Sequence, residues 1–241
     1  MLHRTNGIVL HTVKYSESSL IVKVYTSEFG LQSYLINGVK GKKSKHKSAL
    51  LQPLSLVDLI VSNSNKSGLH RISEINLLQP YSAIPYDIIK SSIAIFLNEI
   101  LYKTLKEEHA DSELFEFIKN AFLVLDLKQE SCSNFHIYFL IQFSIYLGFS
   151  PHGTFSEQKT LFDLKEGKFS STVPSHSLYL NKRNSALFQE FIHSTFANFH
   201  LIQISRSERK EILQALIIYY QLHIAAFGEM KSLNVLEEIT A

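Results

Sequence analysis

The chain has 241 residues, of which 45% are apolar and 19% charged, a balance that excludes a disordered chain and leaves room for two domains or one large one. A single cysteine, Cys132, excludes an intramolecular disulfide framework and a cysteine-based zinc site, and it fits a reducing compartment. The net charge of +2 conceals an asymmetry: residues 1–80 carry ten basic against four acidic side chains, and residues 81–241 carry 14 against 18. Anion binding is therefore expected of the first third.

The first eighty residues read as β structure. Gly7–Val13 and Leu20–Thr26 are β-branched runs, Ser27–Gly30 is a turn, and Leu31–Ile36 makes a third strand. Leu54–Val61 and Leu69–Leu77 add two more around the polar stretch 62–68. Five short strands with a long connection after the third predict a small barrel of the OB type, and an SH3-like barrel fits the same count. That connection holds Lys40, Lys42, Lys43, Lys45, His46 and Lys47 within eight residues. So dense a run of like charge repels itself and points to phosphates, while a solvated lysine loop is the plainer alternative. Tyr25 and Tyr34 on the strands either stack on bases or pack the barrel.

Past Pro80 the period changes to that of helices. Ile88, Ile89, Ile93, Phe96, Leu97, Ile100 and Leu101 recur at three and four, and Asp111–Leu127 and Ser133–Leu147 predict two further helices. Residues 148–183 lose the periodicity and predict a loop-rich insert with a short hairpin. Helices resume over Asn184–Phe199 and from Ser205 to Phe227, the last opened by the capping box Ser205-Arg206-Ser207-Glu208. Met1–Gly7 lacks the apolar core of a signal peptide, and Phe135–Leu147 is too short and too polar to span a bilayer. No membrane association and a cytoplasmic location are expected.

Motifs for chemistry are sparse. There is no glycine-rich phosphate loop, no nucleophile elbow and no His-Glu-x-x-His. Glu107-Glu108 and Glu237-Glu238 are neighbours that point about 100° apart on a helix, so neither pair shares a site through local geometry. His193 and His200 have no acid or cysteine nearby in sequence to complete a metal site. Arg206, Arg209 and Lys210 place three cations at a helix start, against the macrodipole, and so ask for an anion. An enzyme is not expected. A small hydrolase would need a cleft of convergent polar groups that nothing here specifies.

Several pieces in order carry a resemblance: Gly7-Ile8-Val9-Leu10, Glu17 before a valine-rich strand, Tyr25-Thr26 through Gly30, and Lys40-Gly41-Lys42-Lys43-Ser44 leading into Leu51-Gln52-Pro53-Leu54. Tyr146-Leu147-Gly148-Phe149-Ser150-Pro151 and Lys231-Ser232-Leu233-Asn234-Val235-Leu236 extend it to the far end. The chain resembles the RecO family of bacterial recombination mediators over nearly its whole length. The resemblance implies an α+β protein, with an OB-fold nucleic-acid-binding domain over 1–80 and an α-helical domain over 81–241. It implies no enzymatic site, and a role in DNA repair and recombination through strand annealing. The implied partners are single- and double-stranded DNA, RecR, the acidic C-terminal tail of single-stranded DNA-binding protein (SSB), and RecF and RecA. Many relatives carry four cysteines in the insert as a zinc site; here 148–183 has none, so the insert is a degenerate zinc-finger-like element and no cofactor is expected. Phe155, Leu161, Phe162, Leu164, Phe169 and Leu178 are expected to hold it together instead.

The DNA contacts are assigned to Lys40, Lys42, Lys43, Lys45, His46 and Lys47, with Arg4, Lys14, Lys23 and Arg71 widening the basic surface. Arg206, Arg209 and Lys210 are assigned to the partner tail. The rival is an interaction scaffold with a solubilising basic loop and no direct role on DNA.

Overall fold

The computed structural model describes residues 1–38, 50–62, 69–106 and 109–239. Five strands, β1 (Leu2–Lys14), β2 (Ser19–Thr26), β3 (Gly30–Asn37), β4 (Leu56–Ser62) and β5 (His70–Gln79), form a closed barrel in the order β1-β2-β3-β5-β4. This five-stranded closure is that of an OB-type barrel. Alternation makes it: Val22, Val24, Tyr34, Ile36, Val57, Leu59 and Val61 are buried inside, and their neighbours in each strand face outward. β1 starts five residues earlier than its apolar run suggests, because β4 pairs with it from Leu2↔Ser62 to Ile8↔Leu56. Gly7 lies where the strands approach most closely: a Cβ there would sit 2.5 Å from Val24 Cγ1 and 3.2 Å from Leu59 Cδ1. The Leu51–Ser55 turn docks on β1 through Leu54 N to Val9 O (2.6 Å) and Val9 N to Ser55 O (3.1 Å). Leu54 adopts φ 68° to do so, a left-handed conformation that costs a branched residue about 1 kcal/mol or more.

The helices are α1 (Ile88–Thr104), α2 (Ser112–Leu127), α3 (Phe135–Tyr146), α4 (Lys182–His193), α5 (Arg206–His223) and α6 (Leu233–Ile239). Asp87 caps α1, accepting from Ile89 N at 2.8 Å and Lys90 N at 3.0 Å. The buried Lys90 Nζ donates to the carbonyls of Asp126 and Lys128, both at 2.8 Å, so a cation satisfies oxygens left over at the end of α2. α3 is buried throughout Phe135–Ile141 and closes an aromatic cluster in which Phe199 meets Phe135 at 5.5 Å and Tyr138 at 5.4 Å.

Two helix ends differ from expectation. α4 stops at His193 rather than Phe199, because Ser194 turns extended and Asn198 Oδ1 takes the Thr195 amide at 2.7 Å. The chain then makes a 3-10 turn over Phe199–Leu201. α5 ends at His223, where the β-branched Ile224 becomes extended (φ −119°, ψ 115°). The periodicity gave no helix at α6.

The insert holds a three-stranded sheet, β6 (Leu161–Asp163), β7 (Lys168–Ser170) and β8 (Tyr179–Leu180), in the order β7-β6-β8. Phe162 is its centre, fully buried, with ring contacts to Phe188 (4.6 Å), Phe169 (5.0 Å) and Tyr219 (5.9 Å). Leu164 and Phe169 are buried beside it, and Phe155, Leu161 and Leu178 are partly buried. At the Gly148 turn, Phe149 accepts a hydrogen bond from Tyr219 Oη at 2.5 Å and stacks on His223 at 5.5 Å.

Two compact units result. Residues 1–85 and 97–123 form one; residues 86–96 and 124–241 form the other. The unit that contains the barrel therefore draws on helical residues well past Pro80. Among the described residues, no helix is long and apolar enough to cross a membrane.

Candidate nucleic-acid interface

Strand parity decides which barrel cations face out. Val22 and Val24 point inward, so Lys23 between them points outward, and its ammonium lies 5.0 Å from the ring centroid of Tyr102 in α1. Arg71 is exposed on β5 and pairs with Leu35, close to the Lys23↔Ser33 pair of the β2–β3 ladder. Lys23 and Arg71 therefore share one outer face. Lys14 is exposed at the end of β1, opposite Leu20. Arg4 lies elsewhere, on the β1–β4 ladder, where Nε and Nη2 each donate to Asp58 at 2.9 Å. That hydrogen bond and the carboxylate charge raise the guanidinium pKa further. Lys40, Lys42, Lys43, Lys45, His46 and Lys47 lie outside the described residues.

The two strand tyrosines are not available to bases. Tyr34 is fully buried, and burial pushes its phenol up to about 12. Tyr25 is 3% exposed, with its ring 6.1 Å from that of Phe115. Beside the outer face of β2 and β3 instead runs a groove of about 530 Å3, lined by Lys23, Leu31, Ser33, Leu69, Tyr102 and Lys106 among others.

In the helical unit, the start of α5 answers its own charge. Ser205 and Glu208 complete the capping box, with Glu208 N donating to Ser205 Oγ and Ser205 N donating to Glu208 Oε2. Arg183 Nε donates to Glu208 at 2.8 Å, and this bond above all, with those from Ser205, holds the Glu208 carboxyl at about 2. Lys210 pairs with Glu237 of α6 at 3.0 Å. The half-buried Arg209 donates to Asn134 Oδ1 at 3.0 Å, and burial lowers its pKa. Arg206 is exposed. A cavity of about 740 Å3 lies here, lined by Arg206, Arg209, Lys210, Leu213, Glu237 and Glu238 among others. Among the described residues no group of three His, Cys, Asp or Glu side chains could hold a metal ion.

Comparison with known families gives two matches in tandem: recombination protein O N terminal over residues 1–81 and recombination protein O C terminal over residues 85–233. The chain belongs to the RecO family. It is 38% identical over 239 residues to the DNA repair protein RecO of Phocaeicola vulgatus and 36% over 240 residues to that of Bacteroides fragilis, in each case covering 99% of both chains. To the DNA repair protein RecO of Flavobacterium psychrophilum it is 37% identical over 98% of both.

For this RecO-family chain, pattern reading sent Lys23 and Arg71 to the barrel's outer surface but gave no sign that Tyr102 lies beside Lys23. No local signal could have found it, because α1 reads as a core helix and the groove exists only when α1 meets β2 and β3. The pairing of Lys210 with Glu237 was equally hidden, since it needs α6.

Proposed function

We propose that the protein is a DNA repair and recombination mediator without a catalytic step of its own, acting in the cytoplasm. Residues 1–80 bind single- and double-stranded DNA without reading sequence, through Lys40, Lys42, Lys43, Lys45, His46 and Lys47 with Lys14, Lys23 and Arg71, while Arg4 contributes a charge already shared with Asp58. Phosphate contacts position a strand and carry no sequence information. Neutralising two strands at once lowers their mutual repulsion and favours annealing. Residues 81–241 meet the protein partners: RecR, with which the chain helps load RecA onto SSB-coated strands, and RecF. The acidic, apolar tail of SSB docks at Arg206, Arg209 and Lys210, where it displaces Glu237 from Lys210. Cysteine-free, the insert stands on Phe162 and its neighbours and takes no zinc.

Family membership over the whole chain, joined to a five-stranded barrel with outward cations, supports this reading best. The test is fluorescence anisotropy of labelled single-stranded DNA across a salt series. About five phosphate contacts give a log-log slope of roughly −3.5 on single strands. A variant with Lys42, Lys43, Lys45 and Lys47 all changed to alanine loses affinity and most of that slope. Equal binding by both proteins places the DNA contact elsewhere on the chain, and binding by neither leaves the interaction-scaffold reading instead.

A further inference from the structure

Single-stranded nucleic acid offers a protein two handles, phosphate charge and the faces of unpaired bases, and proteins that prefer it use both. A duplex offers the first and hides the second. The barrel cations described above supply only charge, and Tyr25 and Tyr34 are buried, so the base-recognising half of such a site must come from another ring.

Tyr102 supplies it. Its side chain is 38% exposed, on the second half of α1, within the same compact unit as the barrel. Lys23 Nζ lies 5.0 Å from its ring centroid, and the His11 ring packs 4.9 Å away at a tilt of 50°. The groove beside it runs along Leu31–Ser33 of β3. Among the described residues β3 pairs with β5 at Tyr34↔His70 and Leu35↔Arg71, and Leu31–Ser33 before them line the groove. Lys23 and Lys106 are both in the lining, and no described lining residue is a carboxylate. An aromatic face, cations within one nucleotide's reach and an apolar floor from Leu31, Leu69 and Leu105 are what a base with its phosphate requires.

We infer that this groove binds single-stranded nucleic acid by stacking a base on Tyr102, with Lys23 leaving the ring for an adjacent phosphate. The inference rests on the nucleic-acid reading above and adds the site at which an unpaired strand is told from a duplex. A lysine held over a solvated ring is weakly attached, and a phosphate is the stronger partner. The base takes the face that the ammonium vacates.

The experiment compares wild type with Tyr102→Ala, Tyr102→Phe and Lys23→Ala by anisotropy on three labelled probes: oligo-dT, an abasic oligonucleotide of equal length and charge, and a duplex. Tyr102→Ala weakens oligo-dT binding by about 5- to 100-fold while leaving abasic and duplex binding unchanged, as loss of one stacked base requires. Its salt slope does not move. Tyr102→Phe binds as wild type. Lys23→Ala weakens oligo-dT and abasic binding alike and flattens both slopes by about 0.7. Should Tyr102→Ala unfold, Tyr102→Leu keeps an apolar side chain without a stacking face, and photocrosslinking of an iodouracil-substituted strand to the wild type maps to Tyr102. Oligo-dT binding that is untouched by Tyr102→Ala or Tyr102→Leu, or reduced equally on the abasic strand, overturns the inference. The variant lacking Lys42, Lys43, Lys45 and Lys47, run in parallel, separates the two readings: if it alone loses binding, DNA contact stands and the Tyr102 site falls.

Discussion

Two clusters of cations sit on this chain, and they are in different electrostatic states. On the outer face of the barrel, Lys23 lies over a tyrosine ring and Arg71 is exposed. At the start of α5, Arg183 and Lys210 are engaged by the chain's own carboxylates, and Arg209 by an amide. A count of charges in the sequence weighs both clusters alike. The structure separates charge on an open barrel face from charge already used to pair helices and loops.

That contrast can be broken or sharpened by substitution. The largest effect belongs to the helical unit's packing: Phe162→Ala opens a void among Phe169, Phe188 and Tyr219 and lowers stability by about 3–5 kcal/mol in chemical denaturation. A chelator leaves the wild-type melting temperature unchanged, because apolar burial holds the insert. Stoichiometric zinc in elemental analysis would be a decisive contrary result.

Acid comes next. His136 is fully buried, both its ring nitrogens lack a partner among the described residues, and burial, aided by Arg209, pushes its pKa from 6.5 down to about 3. Above pH 6.5 the imidazole is neutral in folded and unfolded chains, and no cost arises. As pH falls below that value the unfolded chain takes up a proton that the folded chain refuses, so stability drops, by about 2 kcal/mol between roughly pH 7.5 and 5. His136→Leu flattens the denaturation profile over that window. The Glu208 carboxyl acts in the same direction at lower pH: its contribution is whole above 4.5 and disappears as pH falls toward 2. Above pH 4.5 the acid sensitivity is therefore that of His136, and below it the two groups act together.

Glu208→Ala removes the capping box and the Arg183 contact and costs about 1 kcal/mol, with DNA affinity unchanged. Smallest in stability is Arg71→Ala, within about 0.5 kcal/mol of wild type. It flattens the salt slope on single strands by about 0.7, measured by anisotropy. If Arg71→Ala instead destabilised the fold and Glu208→Ala weakened DNA binding, the two clusters would have exchanged roles.

Much of this was legible in the residues themselves. Alternation in Leu20–Thr26 announces β2 and sends Lys23 outward, and the capping box at Ser205 marks the start of α5. Other features depend on neighbours remote in sequence. Leu2–Asn6 looks polar and structureless until β4 pairs with it. Tyr25 has outward parity yet is buried, because Phe115 of α2 covers it. Tyr102 reads as one more residue of a core helix, and only the approach of α1 to β2 gives it Lys23 and His11 as neighbours. Local pattern reports what one element prefers; a site made by several elements is a property of their meeting.

The β3–β5 ladder has a mechanical consequence. Among the described residues, two residue pairs join β3 to β5, against seven or eight along each of the other seams. Such a cylinder is a rolled sheet with a short clasp, and the clasp is the seam expected to open first. Leu35 and Arg71 should accordingly exchange their amide hydrogens faster than the strands opposite them. The clasp lies beside the groove at Tyr102, so a strand bound there as inferred would lie against the barrel's shortest described seam.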